Sequence, residues 1–185
     1  MATPKTIGSN QIQAAIARIA EAISARHDQT GPLILLGIAN GGITLARRLG
    51  GHLGCKQVGT LDISFHRDDI GRHPIPKEFS PTVLPADVTG ATVILVDDVL
   101  FTGRTVKAAL DELFDHGRPA KVELAVLVDR GGRLMPVAAD YTGLTLSPAA
   151  GEKVIVTLDE KHPDRDRIEI SVAKSKIENR KSKIS

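Results

Sequence analysis

Two neighbouring carboxylates followed by a turn of hydroxyls and glycine are the part of this chain best equipped for chemistry. They lie in the segment Val93-Ile94-Leu95-Val96-Asp97-Asp98-Val99-Leu100-Phe101-Thr102-Gly103-Arg104-Thr105. Ionised carboxylates only accept hydrogen bonds, so Asp97 and Asp98 suit a pair of hydroxyls, or a metal bound to such a pair. Thr102 and Thr105 add hydroxyl donors and Arg104 adds charge. Gly103 lets the backbone approach an anion with no Cβ in the way. At the start of a helix such a turn binds phosphate, because free N–H groups and the positive end of the dipole meet there. A diol beside a phosphate describes a phosphorylated ribose. The residues alone leave a second account open, in which one acid caps a helix at an ordinary strand–helix junction.

Elements must hold these groups in place. Residues 92–96 are apolar without alternation, which suits a strand covered on both faces of a parallel sheet. Val106, Leu110 and Leu113 recur at helical spacing and predict a helix from Arg104 to about Asp115. The acids then fall at the carboxyl end of a strand, where open α/β sheets bind ligands. Residues 10–26 read as an amphipathic helix with the stripe Ile12, Ile16, Ile19 and Ile23, capped by Ser9 or Asn10. A buried strand at 33–38 follows Pro32, and after a small-residue loop comes a helix through Leu45 and Leu49. Strands are expected at 57–65, 121–128, 154–158 and 168–172. The connection 66–91 carries four prolines (Pro74, Pro76, Pro81, Pro85) and is long enough to be a lid or hairpin arm. Strands alternating with helices predict an α/β fold, with a mainly parallel central sheet flanked by helices, a lid arm and a small β-rich end.

Other groups have chemical potential. Gly37-Ile38-Ala39-Asn40-Gly41-Gly42 is a second strand–loop–helix junction with exposed backbone N–H groups, hence a second anion site. Arg67, with Arg72, His73 and Lys77 nearby, could close over a leaving anion, although for His73 and Lys77 a solvated loop is the preferred reading. Asp129 and Arg130 end another strand; they either border a ligand pocket or form a structural turn. His27, His52, His66, His116 and His162 fit no metal-ligand spacing along the chain, so no direct metal ligand is expected. The single cysteine, Cys55, permits no internal disulfide and is expected to be small and at least partly buried.

The 185 residues suit one domain, expected over 1–173. Net charge is +2, unevenly spread: residues 174–185 hold five bases and one acid, a net +4 that leaves −2 on the rest. Such a tail either attracts nucleic acid or is simply solvated and poorly ordered. No apolar run is long enough to cross a membrane and the start has no apolar secretory stretch, so a cytoplasmic setting is expected.

The thirteen-residue segment resembles, at every defining position, the phosphoribosyl-pyrophosphate signature of type I phosphoribosyltransferases. The resemblance implies that Asp97 and Asp98 hold the ribose hydroxyls and that Thr102, Gly103, Arg104 and Thr105 hold the 5′-phosphate. Ala39, Asn40, Gly41 and Gly42 occupy the place of the pyrophosphate loop, assisted by Arg67. Relatives often carry Thr, then Arg or Gly, where Asn40 and Gly41 stand. Mg²⁺ is expected to arrive with the pyrophosphate. Longer stretches, covering about residues 10 to 160, are similar to the PyrR group of uracil phosphoribosyltransferases, some of which also bind messenger RNA of pyrimidine operons. This implies transfer of ribose 5-phosphate to uracil, giving UMP and pyrophosphate, in a dimer or larger oligomer; the pocket that Asp129 and Arg130 could border would then be the base pocket. Phe101 stands where the 6-oxopurine enzymes of this fold keep an acid, and an aromatic ring cannot serve as that acid or base. Of the residues that would touch RNA, Arg18, Arg130 and Arg133 remain, while Ala17, Glu21 and Ala138 depart from the regulatory pattern. Weak or absent specific RNA binding is therefore expected, unless the tail compensates. A non-catalytic sensor using the same pocket, and an orotate or purine transferase, are the competing readings.

Overall fold

The computed structural model describes residues 5–27, 31–66 and 81–172. Arg67, Arg72, His73, Lys77, most of the arm and the basic tail lie outside the described residues.

In chain order the elements are β1 (Lys5–Gly8), α1 (Ser9–Arg26), β2 (Leu33–Ile38), α2 (Gly41–Leu53), β3 (Val58–Leu61), β4 (Thr92–Leu100), α3 (Arg104–His116), β5 (Lys121–Asp129), β6 (Tyr141–Thr145), β7 (Glu152–Thr157) and β8 (Arg167–Val172), with a 3-10 turn at Pro163–Arg165. Five strands form a parallel sheet in the order β3-β2-β4-β5-β6, and β1, β8 and β7 form a separate antiparallel sheet. This is the expected α/β architecture with its β-rich end. From β2 the chain moves outward through α2 to β3. From β4 it moves the opposite way through α3 to β5. The order therefore reverses between β2 and β4, and a crevice opens beyond the carboxyl ends of those two strands.

The unbroken apolar runs are explained by two cores, one on each face. Ile94 and Val96 of β4 join the cluster with α1 and α2, whereas Val93 and Leu95 join the cluster with α3. In β2, Leu35 faces the first core and Ile34, Leu36 and Ile38 face the second. Every strand position meets apolar neighbours, so no polar alternation survives. The α1 stripe Ile12, Ile16, Ile19 and Ile23 is fully buried, each side chain contributing roughly 1.5–3 kcal/mol.

Several expectations are corrected. Gly8, not Ser9 or Asn10, caps α1, and no side chain bonds its free N–H groups. On α3 the deeply buried positions are Val106, Ala108, Ala109 and Leu113, with Leu110 only partly buried. β3 is shorter than 57–65 because Asp62 turns on itself, its Oδ1 accepting from Ser64 N at 2.9 Å and Ser64 Oγ at 2.6 Å. β4 does not stop at Val96. It runs on through both acids to Leu100, pairing Asp97 with Val126 and Val99 with Val128, since a carboxylate side chain leaves the backbone ladder intact. β1 and β6 are strands that composition alone did not mark out. Cys55 is partly buried, as expected, with Sγ 3.5 Å from Leu33 O.

Candidate active site

Val93 and Leu95 of β4 face the α3 core and Ile94 and Val96 the α2 core, but the alternation breaks at the acids: Val99 packs on the α2 side, Leu100 on the α3 side, and the Asp97 and Asp98 carboxyls lie against each other. Asp98 meets the start of α2. A Cβ built on Gly41 would come within 2.5 Å of Asp98 Cγ and 2.6 Å of both carboxylate oxygens. A Cβ on Gly42 would collide with the carbonyl of Val96. The two glycines are thus what lets the loop after β2 close against β4. The loop and the acids, distant in sequence, share one crevice.

Asp97 is 5% exposed, and its backbone neighbour Asp98 N donates to its Oδ1 at 3.0 Å. Burial first, and the Asp98 charge second, push the Asp97 carboxyl well above the usual carboxylate range. Burial also raises Asp98. No basic side chain contributes to either shift among the described residues. Two crowded, desolvated acids with raised pKa values are poised for hydroxyl partners or a cation.

The turn after β4 is held from below. Gly103 sits at the cap of α3 in the left-handed region (φ 90°), and an added Cβ would strike Val137 and Met135. Its carbonyl starts the helix by accepting from Lys107 N at 3.0 Å. Thr102 Oγ1 accepts from Arg104 N at 3.3 Å. The N–H groups of Thr105 and Val106, in the first turn, have no intrahelical acceptor. Thr102 O accepts from Leu134 N (2.9 Å) and Met135 N (3.0 Å), which ties the turn to the loop after β5.

Arg133 and Arg130 complete that loop. The Arg133 guanidinium donates to Phe101 O at 2.8 Å and Leu100 O at 3.3 Å, and pairs with Asp129 Oδ2 at 2.5 Å. Gly131 N donates to Asp129 Oδ1 at 2.9 Å. Although burial raises Asp129, the Gly131 N–H and Arg133 hold it below its ordinary value. Arg130 lies over the Phe101 ring, Cζ to centroid 4.0 Å, and donates to Glu152 O at 3.0 Å. Phe101 keeps 43% exposure beside it. The structure therefore brings Asp97, Asp98, Ala39, Asn40, Gly41, Gly42, Thr102, Gly103, Arg104 and Thr105 to the carboxyl end of the sheet, with Asp129 and Arg130 along the rim. Arg67 is outside the described residues. Sequence reasoning missed Arg133 as a brace of this end, because a lone arginine after a Gly-Gly pair carries no signal.

A cavity of about 470 Å³ lies elsewhere, lined by Ser24, His27, Pro32, Leu33, Cys55 and Thr92 among others. It opens at the amino ends of β2 and β4, and none of the candidate residues lines it. Charge and free N–H groups, not volume, locate the chemistry at the opposite end.

Residues 8–161 match the phosphoribosyl transferase domain model, and the chain belongs to that family. The chain is similar to the bifunctional protein PyrR of Chloroflexus aurantiacus, at 44% identity over 160 residues covering 83% of this chain and 87% of the relative. It is also similar to the bifunctional protein PyrR 1 of Lactiplantibacillus plantarum, at 44% identity over 90% of this chain and 96% of the relative. Among solved structures, a hypoxanthine-guanine phosphoribosyltransferase from Bacillus anthracis matches with a TM-score of 0.66 at 18% identity, covering 92% of this chain and all of that one. At that identity the last likeness concerns the fold.

Proposed function

We propose that the protein transfers ribose 5-phosphate from phosphoribosyl pyrophosphate to uracil, giving UMP and pyrophosphate. The observation that carries this reading is the packing of Gly41 against Asp98 with the Thr102–Thr105 turn on the same edge of the sheet. One crevice then offers an anion loop, a diol acceptor pair and a second anion turn, in the order pyrophosphate, ribose, 5′-phosphate. The C1–O bond to pyrophosphate breaks, the electron pair leaves with that group, a C1–N bond to the base forms, and the base N–H proton passes to solvent. An oxocarbenium-like centre of this kind needs alignment and charge stabilisation more than a protein nucleophile.

In this reading Asp97 and Asp98 accept from the ribose hydroxyls, and Thr102, Gly103, Arg104 and Thr105 hold the 5′-phosphate. Ala39, Asn40, Gly41 and Gly42 cradle pyrophosphate through the backbone, with Arg67 as a further cation. A buried and a partly buried acid, both with raised pKa values and no basic partner among the described residues, fit a bound cation. Mg²⁺, held chiefly through substrate oxygens and water near Asp97 and Asp98, would supply charge neutralisation on the pyrophosphate. Phe101, half exposed under Arg130, offers an apolar face to a planar base in place of an acid, which favours a pyrimidine over a 6-oxopurine. The test is a panel of bases with labelled phosphoribosyl pyrophosphate. UMP formation from uracil supports the reading; nucleotide formation from hypoxanthine, guanine or orotate instead, or none at all, overturns it.

The relatives' description as bifunctional favours a second activity, control of a pyrimidine operon through messenger RNA. The three arginines expected at that surface are each engaged internally: Arg18 donates to Gly143 O at 2.9 Å, Arg130 to Glu152 O, and Arg133 to Leu100 and Phe101. Weak specific RNA binding follows. Nanomolar, salt-sensitive retardation of the organism's own pyrimidine leader would contradict it. No helix among the described residues is long and apolar enough to cross a membrane, in keeping with action in the cytoplasm.

A further inference from the structure

Away from the crevice, two histidines that are far apart in sequence meet on the outer flank of α3. We propose that His66, Glu112 and Asp115 form a binding site for a divalent transition-metal ion of the zinc type, with His116 as an adjoining imidazole. The ligand atoms of the first three residues all lie within 4.8 Å of one another. His66 Nε2 is 3.1 Å from Glu112 Oε2 and 3.3 Å from Asp115 Oδ2. The edge of a tetrahedron with bonds of about 2.0–2.1 Å is about 3.3–3.4 Å, so these separations need little adjustment to accept zinc.

Proton counting points the same way. One imidazole N–H cannot lie in line with two oxygens of separate carboxylates at once. A cation taking the His66 lone pair and one oxygen from each acid satisfies all three groups. Glu112 is also fixed from behind: its Oε1 accepts from Thr82 Oγ1 at 2.7 Å, and the Thr82 hydroxyl oxygen in turn accepts from Asp62 N at 2.9 Å. Such outer partners orient metal-binding carboxylates. His116 Nε2 lies 3.1 Å from Glu112 Oε1, one helical turn along. Asp115 is 69% exposed at its side chain, which leaves a coordination position open to water. One nitrogen and two carboxylates suit zinc, cobalt or nickel; Mg²⁺ prefers six oxygens.

The site is separate from the proposed transfer chemistry. Glu112 is eight residues into α3 from Arg104, about 12 Å along the axis. A bound ion would pin the turn after β3 to α3, beside the point where residues 67–80 begin. The full-length chain, stripped of metal, would be titrated calorimetrically with Zn²⁺ and separately with Mg²⁺, and the zinc form probed by X-ray absorption. One zinc per chain with only nitrogen and oxygen ligands at about 2.0–2.1 Å is expected. His66→Ala and Asp115→Ala should each weaken binding more than about tenfold while keeping the far-ultraviolet dichroism of the parent. Mg²⁺ at millimolar level should not compete. Absence of stoichiometric zinc binding, a sulfur ligand, or unchanged affinity in both variants overturns the proposal. Base-transfer activity is read separately and decides nothing here.

Discussion

At the scale of single residues, Asp97 and Asp98 are held against their own stability. Burial raises Asp97 above its unfolded value, so the folded chain is penalised when that group is ionised. The sign follows: the stability it permits is present below the unfolded pKa and is lost as pH rises through the folded one. Asp97→Asn should therefore raise the melting temperature at pH 8, and the gain over the parent should shrink as pH falls toward 4; calorimetry across that range checks it. Asp98→Asn should keep the fold and lower kcat/KM about tenfold to a hundredfold, the scale of a lost charged hydrogen bond in a transition state; near-parental steady-state rates would remove Asp98 from the ribose site. Gly41→Ala tests the contact itself. Its Cβ would drive the Asp98 carboxylate aside by about an ångström, and a displacement of that size can cost about a hundredfold in rate. The acids, the turn and the Gly-Gly loop were all legible in the sequence, because each announces itself by residue type. Their contact was not, since Gly41 and Asp98 are joined only by the order of strands in the sheet.

At the scale of elements, small polar knots decide how the pieces are joined. Asp166, 3% exposed, accepts from Gln13 Nε2 of α1 at 3.1 Å, from Arg48 Nη2 of α2 at 3.1 Å and from Asp159 N at 2.9 Å. One carboxylate thus ties both helices to the antiparallel sheet. Asp166→Ala leaves the Arg48 guanidinium, 14% exposed, without its charge partner. A loss of about 3–5 kcal/mol is expected, measurable by urea unfolding; a loss under about 1 kcal/mol would mean that the knot is solvated in practice. The helices α1 and α3 could be read from periodicity, and β2 and β5 from their unbroken apolar runs. The short β1 and β6 could not, because strands of 4 and 5 residues contain too few side chains to establish a period. Asp166 looked like one more acid in a charged stretch, and only its three partners reveal its part.

At the scale of the whole molecule, the two ends of the sheet differ in their response to acid. Glu123, at the amino end of β5 and 2% exposed, receives Tyr141 Oη at 2.7 Å, His27 Nε2 at 2.7 Å, Lys121 Nζ at 2.6 Å and Arg26 Nη1 at 3.3 Å. Burial alone would raise its pKa, but Lys121, Tyr141 and His27 together bring it down to about 2. A depressed carboxylate stabilises the fold above its unfolded value of 4.5, and that stability drains away between pH 4.5 and 2. Glu123→Gln should flatten the fall in melting temperature across that window. Glu123 and Asp129 are about 20 Å apart along the strand, so kcat/KM at neutral pH should stay within about twofold of the parent.

The two-core arrangement around β4 carries a cost for evolution. Removing one residue between Val93 and Val96 would invert the strand's pleat for everything upstream or downstream of the gap. Side chains shaped for one hydrophobic layer would face the other, or Asp98 would turn away from the Gly41 wall. Such a lineage could change these residues by substitution, yet it could hardly lengthen or shorten that stretch by a single codon.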